Sequence, residues 1–130
     1  MKNLKEILII DDDSKNIFAL SAVLKARKYK CVSALSAAEG FTLMASNQNI
    51  AVVLMDMMMP EMDGYQAIEK MKNDDTLKHI PVIAITAQAM TGDREKCLEA
   101  GADGYISKPV NVDELTEVLN KVISKGEVGA

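Results

Sequence analysis

Apolar runs of four to six residues alternate along this chain with longer amphipathic stretches, the pattern of a repeating strand–helix domain built on a parallel sheet. The first run covers residues 5–10. A helix over 14–28 follows, with Ala19, Leu20, Val23 and Leu24 read as its inward positions. A short strand over 31–34 leads to Ser36-Ala37-Ala38-Glu39, a capping-box sequence that opens a second helix and turns Phe41 and Met44 inward. The third strand is 51–55, and 56–64 is a loop. Helix three covers 65–72, with Ile68 and Met71 facing the core. A polar connection over 73–81 precedes a strand at Val82–Thr86. Helix four spans 91–100 and stops at Gly101, a residue suited to a left-handed helix end. The fifth strand is 105–107. Asn111-Val112-Asp113-Glu114 opens the last helix, with Val112, Leu115, Leu119 and Val122 on one stripe. Residues 125–130, with Gly126 and Gly129, have little to bury and are expected to fray. One domain over residues 1–125 and a disordered tail over 126–130 account for the length.

Composition narrows the classes. Hydrophobic residues make up 48% of the 130 positions, enough for a single core, and nine Met take the place of scarce aromatics in filling it. The net charge of −4 argues against a nucleic-acid surface, which would be basic. No apolar stretch approaches the ~18 residues of a membrane span, and the N-terminus does not read as a signal peptide. A cytoplasmic location is the expectation. Cys31 and Cys97 lack metal-site spacing and are read as two free, buried, reduced thiols. His79 is the only histidine, which makes a zinc site or a Ser-His-Asp triad improbable.

The chemistry sits where the apolar runs stop. Ile7–Ile10 runs into Asp11 and Asp12, residues 52–55 into Asp56, residues 82–85 into Thr86, and residues 105–107 into Lys108. Ligands of open parallel sheets bind in the crevice beyond the carboxyl ends of the strands. Parallel pairing of these runs would therefore gather three carboxylates, a hydroxyl and an ammonium at one rim. Carboxylates so placed repel and raise one another's pKa. A hard divalent cation such as Mg²⁺ relieves that cost and keeps positions open for phosphate oxygens. A helix cap explains Asp13 or Ser14 but not Asp56. A carboxylate pinned at the end of a buried strand can attack phosphorus and form an aspartyl phosphate. The metal and Lys108 would balance charge on the transferring group.

With those residues assembled, the chain resembles a two-component response-regulator receiver domain from about Lys5 to Ser124. The resemblance is carried by residues 7–12, by LMDMMMPEMDG (54–64), by residues 83–87 and by GADGYISKP (101–109). It implies a flavodoxin-like (CheY-like) three-layer α/β/α fold, with a five-stranded parallel sheet in the order 2-1-3-4-5. Asp56 is then the phosphoacceptor, served by Thr86 and Lys108. Asp12, Asp56 and the backbone carbonyl of Met58 would ligate Mg²⁺, with Asp11 holding it through water. Thr86 and Tyr105 form the switch, and Lys108-Pro109 corresponds to a peptide bond that is cis in the family. The donor is a phosphohistidine on a histidine kinase or a histidine phosphotransfer protein. The face of helix four, strand five and helix five changes on phosphorylation. That face pairs receivers in the family, so a homodimer on phosphorylation is one expected state; no nucleic acid and no membrane are expected as partners. Residues 16–20 and 92–98 resemble receivers fused to hybrid histidine kinases.

Three positions carry finer features. Met58 and Gln88, two residues after Asp56 and Thr86, lie where the family varies, and an apolar Met58 beside the phosphoryl group would hinder attacking water. Phe18, placed opposite the helix-one core stripe, with Ile17 at the margin of the same face, reads as a docking contact for the phosphodonor. The enzyme rival is an aspartate-nucleophile phosphatase. Such enzymes place a second acid two residues after the nucleophile, where this chain has Met58. An adaptor with a vestigial site is the third reading, against which the intact set Asp11, Asp12, Asp56, Thr86 and Lys108 speaks.

Overall fold

The structure is a computed structural model and describes residues 6–58, 64–87 and 92–128, with side chains described to residue 123. Five strands and five helices alternate: β1 (Glu6–Ile10), α1 (Ser14–Ala26), β2 (Lys30–Ala34), α2 (Ala37–Ser46), β3 (Ile50–Asp56), α3 (Gly64–Lys72), β4 (Val82–Thr86), α4 (Asp93–Ala100), β5 (Gly104–Ser107) and α5 (Val112–Val128). All strand pairs are parallel, in keeping with the alternation of strands and helices, and the sheet order is β2-β1-β3-β4-β5.

The central strands are buried on both faces, so their sequences read as unbroken aliphatic runs rather than alternating ones. Alternate residues feed two cores. Leu8, Ile10, Val53, Met55, Val82 and Ala84 pack on one side with α2, α3 and α4. Ile7, Ile9, Val52, Leu54, Ile83 and Ile106 pack on the other with α1 and α5. Burying a large aliphatic side chain contributes about 1.5–3 kcal/mol, so the sheet's position is fixed by many such terms.

Local signals set the helix ends. Ser36 Oγ accepts from the Glu39 N–H at 3.2 Å, the cap foreseen for α2. Asn111 Oδ1 accepts from the Glu114 N–H at 2.9 Å and starts α5. Gly101 ends α4 at φ 120°, a value that side chains rarely adopt.

Three expectations need correction. Ile17 is not at an exposed margin: it is 8% exposed and belongs to the α1–α5 core. Ala19 is exposed and Val23 only half-buried, while Leu24 is fully buried. The inward stripe of α1 therefore runs through Ile17, Leu20 and Leu24, an i, i+3, i+7 series. Cys97 is buried but Cys31, on the edge strand β2, is only half-buried; both are free. Helix α5 is assigned to Val128. Pro60, Gln88 and Thr91 lie outside the described residues.

The end of the sheet away from the strand carboxyl termini is tied by one side chain. Lys72 Nζ, at the end of α3, donates to the Ile80 carbonyl at 3.1 Å, the Lys78 carbonyl at 3.4 Å and Asp103 Oδ2 at 3.2 Å. Asp103 Oδ2 also accepts from the Val82 N–H at 2.9 Å. The start of β4, the entry to β5 and the end of α3 thus share one network.

Candidate functional site

Register brings the strand ends level. Ile10 pairs with Met55, so Asp11 and Asp56 leave β1 and β3 side by side. Asp56 pairs with Ile85, and Thr86 pairs with Ser107, which places Lys108 one residue further along the same rim. Backbone bonds hold the exits. The Asp11 N–H donates to the Ala34 carbonyl at 3.1 Å, the Met57 N–H to Ile85 at 3.0 Å, and the Lys108 N–H to Thr86 at 2.8 Å. The Lys108-Pro109 peptide bond is cis.

Each of Asp11, Asp12 and Asp56 offers a carboxylate oxygen, and these three atoms lie within 4.8 Å of one another. Asp56 is 5% and Asp11 7% exposed, whereas Asp12 faces solvent. The Asp56 carboxylate is fixed twice: Oδ1 accepts the Met58 N–H at 3.0 Å and lies 3.8 Å from Lys108 Nζ. Asp11 Oδ1 accepts the Asp13 N–H at 2.9 Å. Burial nevertheless pushes the Asp11 carboxyl above its ordinary range, and the Asp56 charge beside it pushes the same way; the Asp13 N–H and Lys108 oppose them. The donor set is all oxygen and carries excess negative charge. Mg²⁺ takes oxygen ligands and would offset that charge, with Asp12 and Asp56 as carboxylates that would hold it and Asp11 beside them. The residues present fit Mg²⁺.

Thr86, at the end of β4, is 1% exposed. Tyr105 stands opposite Ala84 in the β4–β5 ladder, on the sheet face that also carries Thr86 two residues on. The two predicted switch side chains are therefore diagonal neighbours. An apolar crevice of about 310 Å³ opens from Asp11, Asp56 and Lys108 and runs between α1 and the segment that leads into α5, past Ala19, Leu20, Val23 and Val110.

A family model described as a response regulator receiver domain matches residues 7–120. The chain belongs to the response regulator receiver family. The receiver is 34% identical over 119 residues to the polar-differentiation response regulator DivK of Brucella ovis, covering 92% of this chain and 96% of that protein. It superposes on a response regulator receiver domain protein from Clostridium thermocellum with a TM-score of 0.89 at 27% identity, over 98% and 100% of the two chains. It also matches the signal receiver domain of a signal transduction histidine kinase from Syntrophus aciditrophicus, with a TM-score of 0.82 at 30% identity over 93% and 91%. The fold is the flavodoxin-like receiver fold, and the domain is a signalling module of two-component systems. Among the described residues no helix is long and apolar enough to cross a membrane.

Asp11, Asp12, Asp56 and Lys108 converge on the rim, and Thr86 ends β4 at the same edge. Phe18 projects from α1, 77% exposed, while its neighbour Ile17 belongs to the core. Met58 follows the site and is 48% exposed. One residue escaped the sequence reading. Asp93, the first residue of α4, is 7% exposed and accepts hydrogen bonds from the hydroxyls of both Tyr65 and Tyr105. An acidic residue in the first turn of a helix ordinarily signals only the macrodipole, and no local pattern distinguishes Asp93 from that case.

Proposed function

We propose that this receiver accepts a phosphoryl group on Asp56 from a phosphohistidine of a histidine kinase or histidine phosphotransfer protein. The observation that carries this reading is the triangle of carboxylates within 4.8 Å, with Lys108 Nζ 3.8 Å from Asp56 Oδ1. An Asp56 carboxylate oxygen attacks phosphorus, the bond to the donor imidazole nitrogen breaks, and the imidazole leaves with the electron pair and regains a proton from solvent. Asp12, Asp56 and the Met58 carbonyl, with Asp11 through water, would hold Mg²⁺, which would supply positive charge to the oxygens of the transferring group. Lys108 is a second cation, already directed at Asp56 by the β5 exit. The Met58 N–H holds the nucleophile's orientation.

Phosphorylation adds charge at the rim. Thr86 is drawn toward it, and Tyr105, its diagonal neighbour, takes the space released. The surface of α4, β5 and α5 changes with it, as a local charge event biasing a bistable element. That surface serves a downstream protein or a second phosphorylated copy. Exposed Phe18, without Ile17, is the docking contact on α1. The protein is a cytoplasmic switch over residues 1–125 that retains one phosphoryl group rather than turning over esters.

Mass spectrometry after acetyl phosphate, with and without Mg²⁺, tests the reading. One added phosphoryl group per chain, dependent on Mg²⁺ and lost in Asp56→Asn, is expected. Equal incorporation by Asp56→Asn would overturn it, and steady release of phosphate from a phosphate ester would favour the phosphatase rival.

A further inference from the structure

The switch tyrosine is tied down by a carboxylate that the phosphoryl site does not use. Tyr105 Oη donates to Asp93 Oδ2 at 2.9 Å, and Tyr65 Oη donates to Asp93 Oδ1. Asp93 is 7% exposed, and each of its oxygens accepts from a tyrosine of another element, α3 or β5. Lys96 Nζ lies 5.1 Å from the centre of the Tyr65 ring and closes the group from outside. Burial, followed by the bond to Asp93, pushes the Tyr105 hydroxyl up to about 12, so it remains a donor at neutral pH.

We propose that Asp93 is a positioning residue that latches Tyr105 in the resting arrangement and so opposes the switch. This rests on the reading of Thr86 and Tyr105 as the switch pair. Tyr105 stands beside Ala84, two residues short of Thr86 along the ladder. To fill space released by Thr86, the ring must move toward the rim, and its hydroxyl must leave a carboxylate held at the start of α4. A bond from a neutral donor to a buried carboxylate is among the stronger hydrogen bonds in proteins, and its loss falls only on the switched state. Tyr65 fixes the other oxygen, so the carboxylate cannot follow the ring without breaking a second bond. By linkage, whatever stabilises the resting arrangement weakens the phosphoryl group's hold, and removing it does the reverse.

Beryllofluoride with Mg²⁺, a phosphoryl analogue, reads this directly. Asp93→Asn keeps shape but removes the charge, and should bind the analogue about fivefold to tenfold more tightly than the parent protein. Tyr65→Phe leaves Asp93 and Tyr105 in place and should shift affinity the same way, by less; it decides the matter should Asp93→Asn not fold. Fluorotyrosine at Tyr105 should give, in Asp93→Asn without analogue, a resonance displaced toward its position in the analogue-bound parent. Lowered melting temperature with unchanged or weaker analogue affinity in the folded variants would reduce Asp93 to a structural residue and overturn the latch. No analogue binding by the parent protein would instead overturn the phosphoacceptor reading, and the latch with it.

Discussion

Replacing Asp11 by Asn should make the metal-free receiver more stable. Asp11 and Asp56 offer oxygens within 4.8 Å of each other, both nearly buried. At an effective dielectric of about 20, two unit charges at that distance repel by about 3.5 kcal/mol. Lys108 offsets part of this for Asp56, from 3.8 Å. The Asn Oδ1 still accepts the Asp13 N–H, so the start of α1 keeps its bond. A net stabilisation of about 1–2 kcal/mol should remain after solvent and Lys108 screening. The pH dependence has a definite sign. The Asp11 carboxyl is raised in the folded chain from 3.8, so the native state holds its proton more tightly than the unfolded state does. Stability from this group is therefore lost as pH rises from 3.8 through the folded value. Urea unfolding in chelator, at mildly acid and neutral pH, measures both. The parent protein should lose stability across that interval more steeply than Asp11→Asn. Adding Mg²⁺ at ten times its dissociation constant should return about 1.4 kcal/mol to the parent and less to the variant. An Asp11→Asn protein no more stable than its parent in chelator would refute the claim that the rim is electrostatically overloaded.

Three other outcomes follow from the geometry. Met58→Asn should shorten the lifetime of the phosphorylated protein, because an apolar side chain beside Asp56 gives way to one that can align water; an unchanged or longer lifetime refutes it. Phe18→Ala should slow transfer from a phosphohistidine donor while leaving acetyl phosphate labelling unchanged, since the side chain is 77% exposed on α1 and supports no core; equal slowing of both removes the docking role. Gly64→Ala should lower the urea midpoint by an amount equivalent to about 1–3 kcal/mol, because a Cβ there would stand 2.7 Å from the Met57 Cα, which cannot swing aside as a side chain can.

The rim was legible because it is made by strand ends. A fully buried parallel strand announces itself as an aliphatic run, and the residue at which the run stops marks the rim without any knowledge of pairing. Val82–Thr86 is read from sequence with its observed limits for this reason. Helix α1 was less legible. Two apolar stripes share Leu20 and Leu24, and periodicity alone cannot choose between Ala19 with Val23 and Ile17. The larger Ile17 takes the core, and Ala19 is left beside the crevice. Asp93 was not legible at all, because its partners Tyr65 and Tyr105 are contributed by separate elements and meet only in three dimensions.

Lys72 gives the domain a hinge post. By gripping Ile80, Lys78 and Asp103 together, it clamps α3, β4 and β5 at the extremity farthest from Asp56. Displacements that begin at the phosphorylated rim must then fade along the strands toward that clamp, as a door's travel fades toward its jamb. A surface reader that distinguishes the two states should grip the outer, rimward half of α4 and β5, where the swing is widest.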